Sequence, residues 1–198
     1  TDYMMQEDNG FISENVVRVN VNLWYRWHRC FDEFMKNPEI IDVTCGDSPM
    51  SEGLSSRSEL MSKDNEPVWY SFRNGYDNYF DFFDFKLVDG RFPNKGEFGV
   101  AVINETFAAT YPDYQIGNKI MSMYRQEYEI IGVVEDFNAR PMMHEREPMI
   151  YHIDNLNCAD MFFKFRSDDI SETVKWIEKS LRDLVSSSGA NGDEISVT

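Results

Sequence analysis

The sequence lacks the features that mark a membrane span or a nucleic-acid surface. No apolar run approaches the roughly 20 residues that a helix needs to cross a bilayer, and no signal peptide opens the chain. Its 19 basic residues are scattered among 35 acidic ones, which gives a formal net charge of -16. Such a surface repels phosphate backbones, so we expect no nucleic acid among the partners. Because the chain begins at Thr1, we expect it to be a piece of a longer protein.

Cysteine is also scarce, with Cys30, Cys45 and Cys158 as the 3 in the chain. None stands in a Cys-x-x-Cys pair, which disfavours zinc ribbons and thioredoxin chemistry. A Cys30–Cys45 disulfide in an oxidising compartment and three free, buried thiols both stay open. We favour the free thiols, because unpaired cysteine is commonly buried as a small apolar side chain.

Signatures of nucleophilic catalysis and of ATP hydrolysis are absent as well. There is no Gly-x-Ser-x-Gly elbow and no phosphate-binding loop. The block 46–48, Gly-Asp-Ser, is similar to the nucleophile block of GDSL esterases, but those enzymes need a late Asp-x-x-His pair. The residue three places before His144 is proline, and the one three places before His152 is methionine. We therefore interpret the block as a turn.

Three further groups of side chains have the residue types found in metal or acid–base sites. His144, Glu145 and Glu147, with His152 nearby, do not have the His-Glu-x-x-His spacing of a helical zinc site. The spacing of the acidic residues in 77–84 misses a calcium loop, and they are interpreted as a solvated rim around core aromatics. The three groups are His144, Glu145, Glu147 and His152; Asp77, Asp81 and Asp84; and Glu135 and Asp136.

Glu135 and Asp136 have the composition of a glycosidase pair, but adjacent residues on a strand point to opposite faces. They would not flank one glycosidic bond. The sequence therefore predicts no catalytic, cofactor-binding or metal-binding residue and no cofactor, and the chain is not expected to be an enzyme.

What the chain does contain is a folded core, since hydrophobic residues make up 42% and aromatics 15%. Each end predicts a strand–helix–strand unit from its periodicity. The first has a strand over 16–21, a helix over about 23–36 and a strand over 40–44. The second has a strand over 161–165, a helix over 170–185 and a strand that begins at 195. Asp169 and Glu172 are spaced as a capping box at the start of the second helix.

The middle of the chain predicts strands with short helices. Residues 46–66 are polar and are interpreted as a mobile connection, and Asp89-Gly90 is a turn signal. Strands are expected over 68–76, 100–103, 119–124, 128–134 and 149–153, with short helices over 79–85 and 105–111. The two ends bracket this middle, which indicates an α+β fold with a discontinuous first part and an inserted, mainly β second part.

The stretch from Gly90 to Ile150 carries a family resemblance. Its pattern is Gly-Arg-Phe at 90–92, Val-Ile-Asn-Glu-Thr-Phe-Ala at 102–108, Ile-Gly at 116–117, Ile-Ile-Gly-Val-Val-Glu-Asp-Phe-Asn at 130–138 and Glu-Pro-Met-Ile at 147–150. It resembles the periplasmic core domain of MacB/FtsX-type ABC transporter permeases, in the form common in Bacteroidetes-like genomes. The match extends in order from about Val16 to Val185. Locally, Gly90 and Gly117 suit turns, Asn104 suits a helix cap, and Gly132 allows close strand packing.

The resemblance implies a fold and a position within an ABC transporter. Residues 12–48 and 158–198 would form a discontinuous porter-like subdomain, and 49–157 an inserted, mainly β subdomain. The domain would lie on the periplasmic side of the bacterial inner membrane, between the first two membrane helices of a permease. It would be non-catalytic and couple ATP-driven helix motion to substrate export or to periplasmic partners. Implied partners are a cytoplasmic ABC ATP-binding subunit, reached through the transmembrane part, a second permease copy in a homo- or heterodimer, and a periplasmic adaptor or substrate.

Two hypotheses from other classes stay open. Aromatic residues motivate a secreted carbohydrate- or peptide-binding module, namely Trp24, Trp69, Trp176, Tyr70 and Tyr76. Of these, Trp24 and Trp176 lie on predicted helices and are interpreted as packing residues. The other hypothesis is a hydrolase that uses Ser48.

Overall fold

The structure is a computed structural model that describes residues 16–21, 30–49, 56–61, 67–122, 125–136, 146–154, 160–166, 169–187 and 195–197. Its elements in chain order are β1 (Val16–Val21), α1 (Phe31–Phe34), β2 (Ile40–Gly46), β3 (Ser56–Met61), β4 (Pro67–Gly75), α2 (Tyr79–Phe82), β5 (Leu87–Gly90), β6 (Val100–Asn104), α3 (Glu105–Thr110), β7 (Lys119–Met121), β8 (Glu127–Val134), β9 (Met149–Ile153), β10 (Asp160–Phe165), α4 (Ile170–Ser187) and β11 (Ile195–Val197). The predicted α+β class is confirmed.

The chain divides into two compact units. The first draws on residues 1–46, 82–84 and 155–198, and the second on 47–81 and 85–154. This division falls close to the expected limits at 48/49 and 157/158, and it differs in placing 82–84 with the first unit. That these units are a porter-like subdomain and an insertion stays a prediction.

The first unit contains a four-stranded antiparallel sheet in the order β11-β1-β10-β2. Since β1 and β2 both run antiparallel to β10, they are parallel to each other, and β10 lies between them. The two strand–helix–strand units of the chain ends are thus interleaved, which is the split βαβ arrangement of ferredoxin-like sheets. Because the strands are interleaved, each end of the chain needs the strands of the other end to complete this sheet.

Alternation of valine builds the inner face of β1, where Val17 and Val19 are buried. Helix α4 lays its periodic apolar face into the same unit, with Val174, Ile177 and Leu181 buried. Its first turn is capped as expected, because the Asp169 carboxylate accepts a hydrogen bond from the Glu172 amide at 2.9 Å.

Aromatic contacts tie α1 and α4 to β10. The Phe34 ring lies 5.0 Å from Phe163 and 6.4 Å from Trp176, both edge-on. Trp176 is therefore a packing residue, as predicted. The predicted first helix ran to about residue 36, but α1 ends at Phe34, and residues 22–29 lie outside the described part of the chain.

The second unit is a mixed sheet with the path β4-β9-β6-β8-β5. Pairs β4/β9 and β6/β8 are parallel, and β9/β6 and β8/β5 are antiparallel. β3 pairs with β4. β7 is a separate short strand, and it pairs with the side of β8 that also pairs with β5. All residues of β6 are buried, as expected for a central strand covered on both faces.

Two expectations for this unit were wrong. Residues 46–66 are not simply a connection, because β2 continues to Gly46 and β3 occupies Ser56–Met61. Asp89-Gly90 is not a free turn but the end of β5, a short edge strand whose four residues are all exposed. β5 lacks the alternating burial that sequence patterns detect, since it is stabilised mainly by pairing with β8.

The structure contradicts both alternatives that the sequence left open for the cysteines. Cys30 is a free, buried thiol, and burial, followed by the nearby Glu33 charge, raises its pKa. Cys45, by contrast, is disulfide-bonded. The Cys30–Cys45 disulfide and the set of three free thiols are therefore both wrong. Cys158 lies outside the described residues.

Gly90 is required by its surroundings as well as by its backbone. Its φ is +76°, and an added Cβ would lie 2.3 Å from the carbonyl oxygen of Ile131. Gly96 has nearly the same φ, +77°, yet a Cβ there meets nothing within 4 Å. We expect Gly90→Ala to lower the free energy of unfolding by about 2 kcal/mol and Gly96→Ala by less than about 1 kcal/mol. Urea unfolding of both variants measures the difference, and equal losses would show that the contact with Ile131 is unimportant.

Candidate functional site: a buried polar hub

The residues of the family pattern converge on one buried side chain, Asn104, at the junction of β6 and α3. Its carbonyl oxygen accepts hydrogen bonds from the amides of Phe107 and Met149, each at 2.9 Å. Its amide nitrogen donates to the Asp136 carboxylate at 2.8 Å and to the Glu147 carbonyl at 2.9 Å. An amide side chain has two donors and two acceptor sites, so Asn104 is fully satisfied.

Asp136 is the charged partner, and its side chain is only 7% exposed. Besides the bond from Asn104, it accepts hydrogen bonds from the Thr106 amide at 3.0 Å and the Thr106 hydroxyl at 2.8 Å. Arg146 pairs with it at 3.4 Å. A carboxylate at the start of a short helix is stabilised by the free amides there. We call Asn104, Thr106, Asp136, Arg146 and Glu147 the Asn104 hub.

The segment before β9 is held from a second side. The Ser71 hydroxyl donates to the Glu147 carboxylate at 2.7 Å, and the Ser71 amide donates to the Pro148 carbonyl at 2.8 Å. The hub thus fixes the end of β8, the start of α3 and the entry to β9 with respect to one another. It also fixes residues 136 and 146, which flank the stretch 137–145 outside the described residues.

Chemically, the hub is suited to holding backbone segments in place. Each oxygen and nitrogen of Asn104 is used, and Asp136 accepts bonds on both oxygens. Glu135 points elsewhere and pairs with Lys86 at 3.8 Å. The two adjacent carboxylates therefore have different partners. They lie just beyond β8, which ends at Val134, and not on the strand that the sequence analysis assumed. Sequence reasoning identified the cap at Asn104 but missed the hub, because its other partners come from segments far along the chain.

A second buried polar residue is His152, on the face of the sheet opposite to its neighbour Tyr151. Its ring stacks on Tyr128 with centroids 4.5 Å apart and lies 5.5 Å from Phe72. The side chain is 3% exposed, and its Nε2 has no hydrogen-bond partner among the residues that the structure describes. Burial in this aromatic cage disfavours the charged ring and lowers the pKa of His152 to about 4. The imidazole is thus neutral at pH 7.

The block 46–48 forms a pinned connection. The Asp47 carboxylate accepts the Asn74 amide at 2.7 Å, and the Asp47 amide donates to the Asn74 carbonyl at 2.8 Å. Burial raises the pKa of Asp47, while the Asn74 hydrogen bonds and the charge of Arg73 lower it in part. Ser48 is buried at 2% exposure. Gly46 ends β2, and residues 47 and 48 follow it without regular secondary structure. A buried serine at 48 is poorly placed to reach a substrate.

The other candidate residues are spread out. Among the described residues, no group of three or more His, Cys, Asp or Glu side chains could hold a metal ion. His144 and Glu145 lie outside that part of the chain, and Glu147 belongs to the Asn104 hub. Asp77 accepts a hydrogen bond from the Gly96 amide, Asp84 pairs with Lys164 at 3.6 Å, and Asp81 is exposed.

The aromatic residues considered for sugar binding differ in their exposure and packing. Trp69 is 56% exposed, whereas Tyr70 is 2% exposed and lies in the core. Trp176 packs on Phe34, and Trp24 lies outside the described residues. Tyr76 packs against Phe98, with centroids 5.1 Å apart. Among the described residues, Trp69, Tyr70, Tyr76 and Trp176 do not form a shared platform on which a sugar ring could stack.

Fold and hub together define a class: a two-unit α+β domain, with a split βαβ sheet in one unit and a mixed sheet in the other, organised by a buried polar anchor. Residues 6–174 match the model of the MacB-like periplasmic core domain. The chain therefore belongs to the MacB-like periplasmic core domain family, a family of transporter periplasmic domains, and the resemblance seen in the sequence is confirmed. Among curated proteins, none matches this sequence.

Three solved structures have the same fold. The periplasmic region of MacB from Actinobacillus actinomycetemcomitans has a TM-score of 0.59 at 15% identity, over 93% of this chain and 88% of that one. The extracellular domain of the noncanonic ABC-type transporter YknZ from Gram-positive bacteria has a TM-score of 0.61 at 13% identity, over 93% and 100%. A domain of a putative permease from Porphyromonas gingivalis has 0.61 at 13%, over 92% and 89%. At such identities the likeness concerns the fold alone.

Within the described residues, no helix combines the length and apolar character that a membrane span requires.

Proposed function

We propose that this chain is the non-catalytic, extracytoplasmic domain of an ABC transporter permease on the periplasmic side of the inner membrane. It would couple ATP-driven motion of transmembrane helices to substrate export or to periplasmic partners. Membership of the MacB-like periplasmic core domain family supports the transporter context. The observation that carries the coupling role is the pairing of β1 with β11.

These two strands are antiparallel neighbours, with Val19 opposite Val197 and Val21 opposite Ile195. The start of β1 and the end of β11 therefore point toward the same end of the sheet in the first unit. Neighbouring strands are about 5 Å apart, so helices joined to these two ends would act on adjacent strands. A shift of one helix relative to the other would load the β1–β11 ladder directly.

The two units divide the proposed work. The first, expected as the porter-like subdomain of residues 12–48 and 158–198, would take up the motion of the helices. The second, expected as the insertion of residues 49–157, would present a surface to a periplasmic adaptor or substrate. A cytoplasmic ATP-binding subunit would act through the transmembrane part, and a second permease copy would complete the pair.

The state of the polar residues supports a role without catalysis. Ser48 is buried, His152 is neutral and enclosed by aromatic rings, and the Asn104 hub uses its groups to hold backbone. A nucleophile or a general base has to reach a substrate and be activated by a neighbour. These three sites are arranged for packing and positioning.

The test is a replacement in the full-length parent. Since β1 and β11 are neighbours, a linker of about six Gly and Ser residues can replace 16–197 without separating the flanking segments. We expect this permease to assemble with its ATP-binding subunit, which still hydrolyses ATP, while export or the response of periplasmic partners is lost.

The matched control carries the same linker between Pro112 and Asp113, two exposed residues of one turn. It should keep its activity, because the domain stays whole. Unchanged export after the replacement would refute the coupling role. A parent gene without hydrophobic segments on both sides of this domain would refute the permease assignment altogether.

A further inference from the structure

The second unit contains a buried cation that no described side chain pairs with. Arg73, in β4, is 7% exposed, and its Nε has no hydrogen-bond partner among the described residues. Charged side chains are almost never buried to this extent unless they are paired. The ion pairs between described residues are formed by other cations, namely Lys36, Lys86, Arg91, Lys119, Arg146 and Lys164.

The face of the sheet that carries Arg73 is covered by aromatic rings. Arg73 is in register with Tyr151 of the parallel neighbour β9, so both side chains project from the same face. The Tyr151 ring contacts rings from α2 and the residues after it, with centroid distances of 6.3 Å to Tyr79, 5.6 Å to Phe80 and 5.3 Å to Phe85. Burial raises the pKa of Tyr151 and of Tyr79, and the positive charge of Arg73 lowers it in part. The charge therefore acts in surroundings where water screens it little.

Two carboxylates face this region, and each already has its own donors. Burial raises the pKa of Asp47 by more than the charge of Arg73 lowers it, and this carboxylate is bonded to the Asn74 amide at 2.7 Å and to the Asn74 side chain at 3.2 Å. Asp136, whose charge adds to burial in raising the pKa of Tyr151, is held within the Asn104 hub. Both acidic groups are thus engaged elsewhere, and Arg73 keeps a charge that a ligand can neutralise.

We propose that Arg73 is the binding residue of a site for a small oxyanion, a carboxylate or a phosphate, in the second unit. A guanidinium presents a planar fork of donors that binds two oxygens of such a group at once. The phenol of Tyr151, next to it in register, supplies one more donor. Because Arg73 is 7% exposed, a group of only a few atoms can reach it: a free anion, or the terminal carboxylate of a longer molecule. The site does not depend on the proposed function.

The first test measures the Tm of the 198-residue chain in a chloride buffer and with phosphate or acetate in its place at constant ionic strength. At about 100 times the Kd we expect a gain of roughly 5–10 °C. In Arg73→Met, which removes the charge and keeps a long side chain, the gain should fall to the small amount that phosphate gives to any protein. An equal gain in Arg73→Met and in the unmodified protein would overturn the site.

Arg91→Met is the matched control for this measurement. Arg91 is an exposed arginine whose two terminal nitrogens are each bonded to the Glu97 carboxylate at 2.7 Å. Its donors are already used, so Arg91→Met should keep the full gain from phosphate or acetate. Loss of the gain in Arg91→Met as well would show that the anions do not act through Arg73.

Stability without the oxyanion separates a binding arginine from a structural one. Replacing an unpaired buried charge by an apolar side chain is neutral or stabilising, whereas breaking a buried ion pair is strongly destabilising. In chloride, Arg73→Met should therefore have a Tm equal to or above that of the unmodified protein. A Tm that is lower by more than about 5 °C would show that the protein itself satisfies this charge, and the proposal would fail.

Nuclear magnetic resonance of the unmodified protein makes the test independent of how any variant folds. The Nε–H signal of Arg73, assigned through bonds from its own backbone amide, should move during titration with phosphate or acetate, while that of Arg91 stays in place. N-acetyl-trialanine with a free carboxylate and the same peptide with an amidated end distinguish the two sources. A response to the small anions identifies a free anion, and a response to the free-acid peptide alone identifies a terminal carboxylate. If the signal answers to none of these probes, or to the amidated peptide equally, Arg73 does not bind an oxyanion.

Discussion

Asn104→Ala is expected to lower the free energy of unfolding by about 4 kcal/mol, the largest effect of any single substitution that we predict. The change removes a helix cap, worth about 1 kcal/mol. The bond lost in that cap is the one from the Phe107 amide. The change also leaves the Met149 amide without its acceptor in a buried site, at roughly 1–3 kcal/mol. Asp136 loses one of its donors as well. Urea unfolding followed by circular dichroism measures the loss.

Two further variants sharpen this test. Asn118→Ala also removes a side-chain acceptor, from the Gln115 amide, but at an exposed position, so it should cost less than about 1 kcal/mol. Asn104→Asp keeps the two acceptor bonds but places a second carboxylate beside Asp136. It should be destabilised at pH 7 and recover part of its stability at acidic pH, as the introduced carboxylate takes up a proton. Equal losses for Asn104→Ala and Asn118→Ala would contradict the hub.

The local part of the hub was visible in the sequence, and the rest was not. An asparagine that follows a strand and precedes a helical segment predicts a cap, and the Phe107 amide does bind there. The bonds to Asp136 and Met149 join residues 32 and 45 positions apart. Such contacts depend on the order of strands in the sheet, which periodicity does not specify.

The same distinction applies to the elements. β1 and α4 were predictable because each has one buried face, with period 2 in β1 and helical spacing in α4. β5 has no buried face, so its residues carry no pattern, and it forms because β8 offers a free edge. Cys45 is a similar case, since a disulfide partner is fixed by folding and not by spacing along the chain.

His152→Phe is expected to abolish an acid-dependent loss of stability of about 3 kcal/mol. The folded pKa of His152 is lowered to about 4 from 6.5, so the unfolded chain binds more protons between these values. The contribution is therefore fully present above pH 6.5 and is lost as the pH falls toward 4. A shift of this size corresponds to about 3 kcal/mol. Phenylalanine keeps an aromatic ring against Tyr128 and Phe72 but cannot be protonated.

The measurement is urea unfolding of both proteins from pH 7 to pH 4, compared as the difference in free energy at each pH. Groups near the cage include Tyr70, Tyr128 and Asp154, whose carboxylate accepts the Tyr128 hydroxyl at 3.0 Å. Tyr128→Phe removes that bond and leaves His152 in place, so it should keep the acid response. If the difference between His152→Phe and the unmodified protein stays constant across this range, the histidine is not buried as a neutral ring.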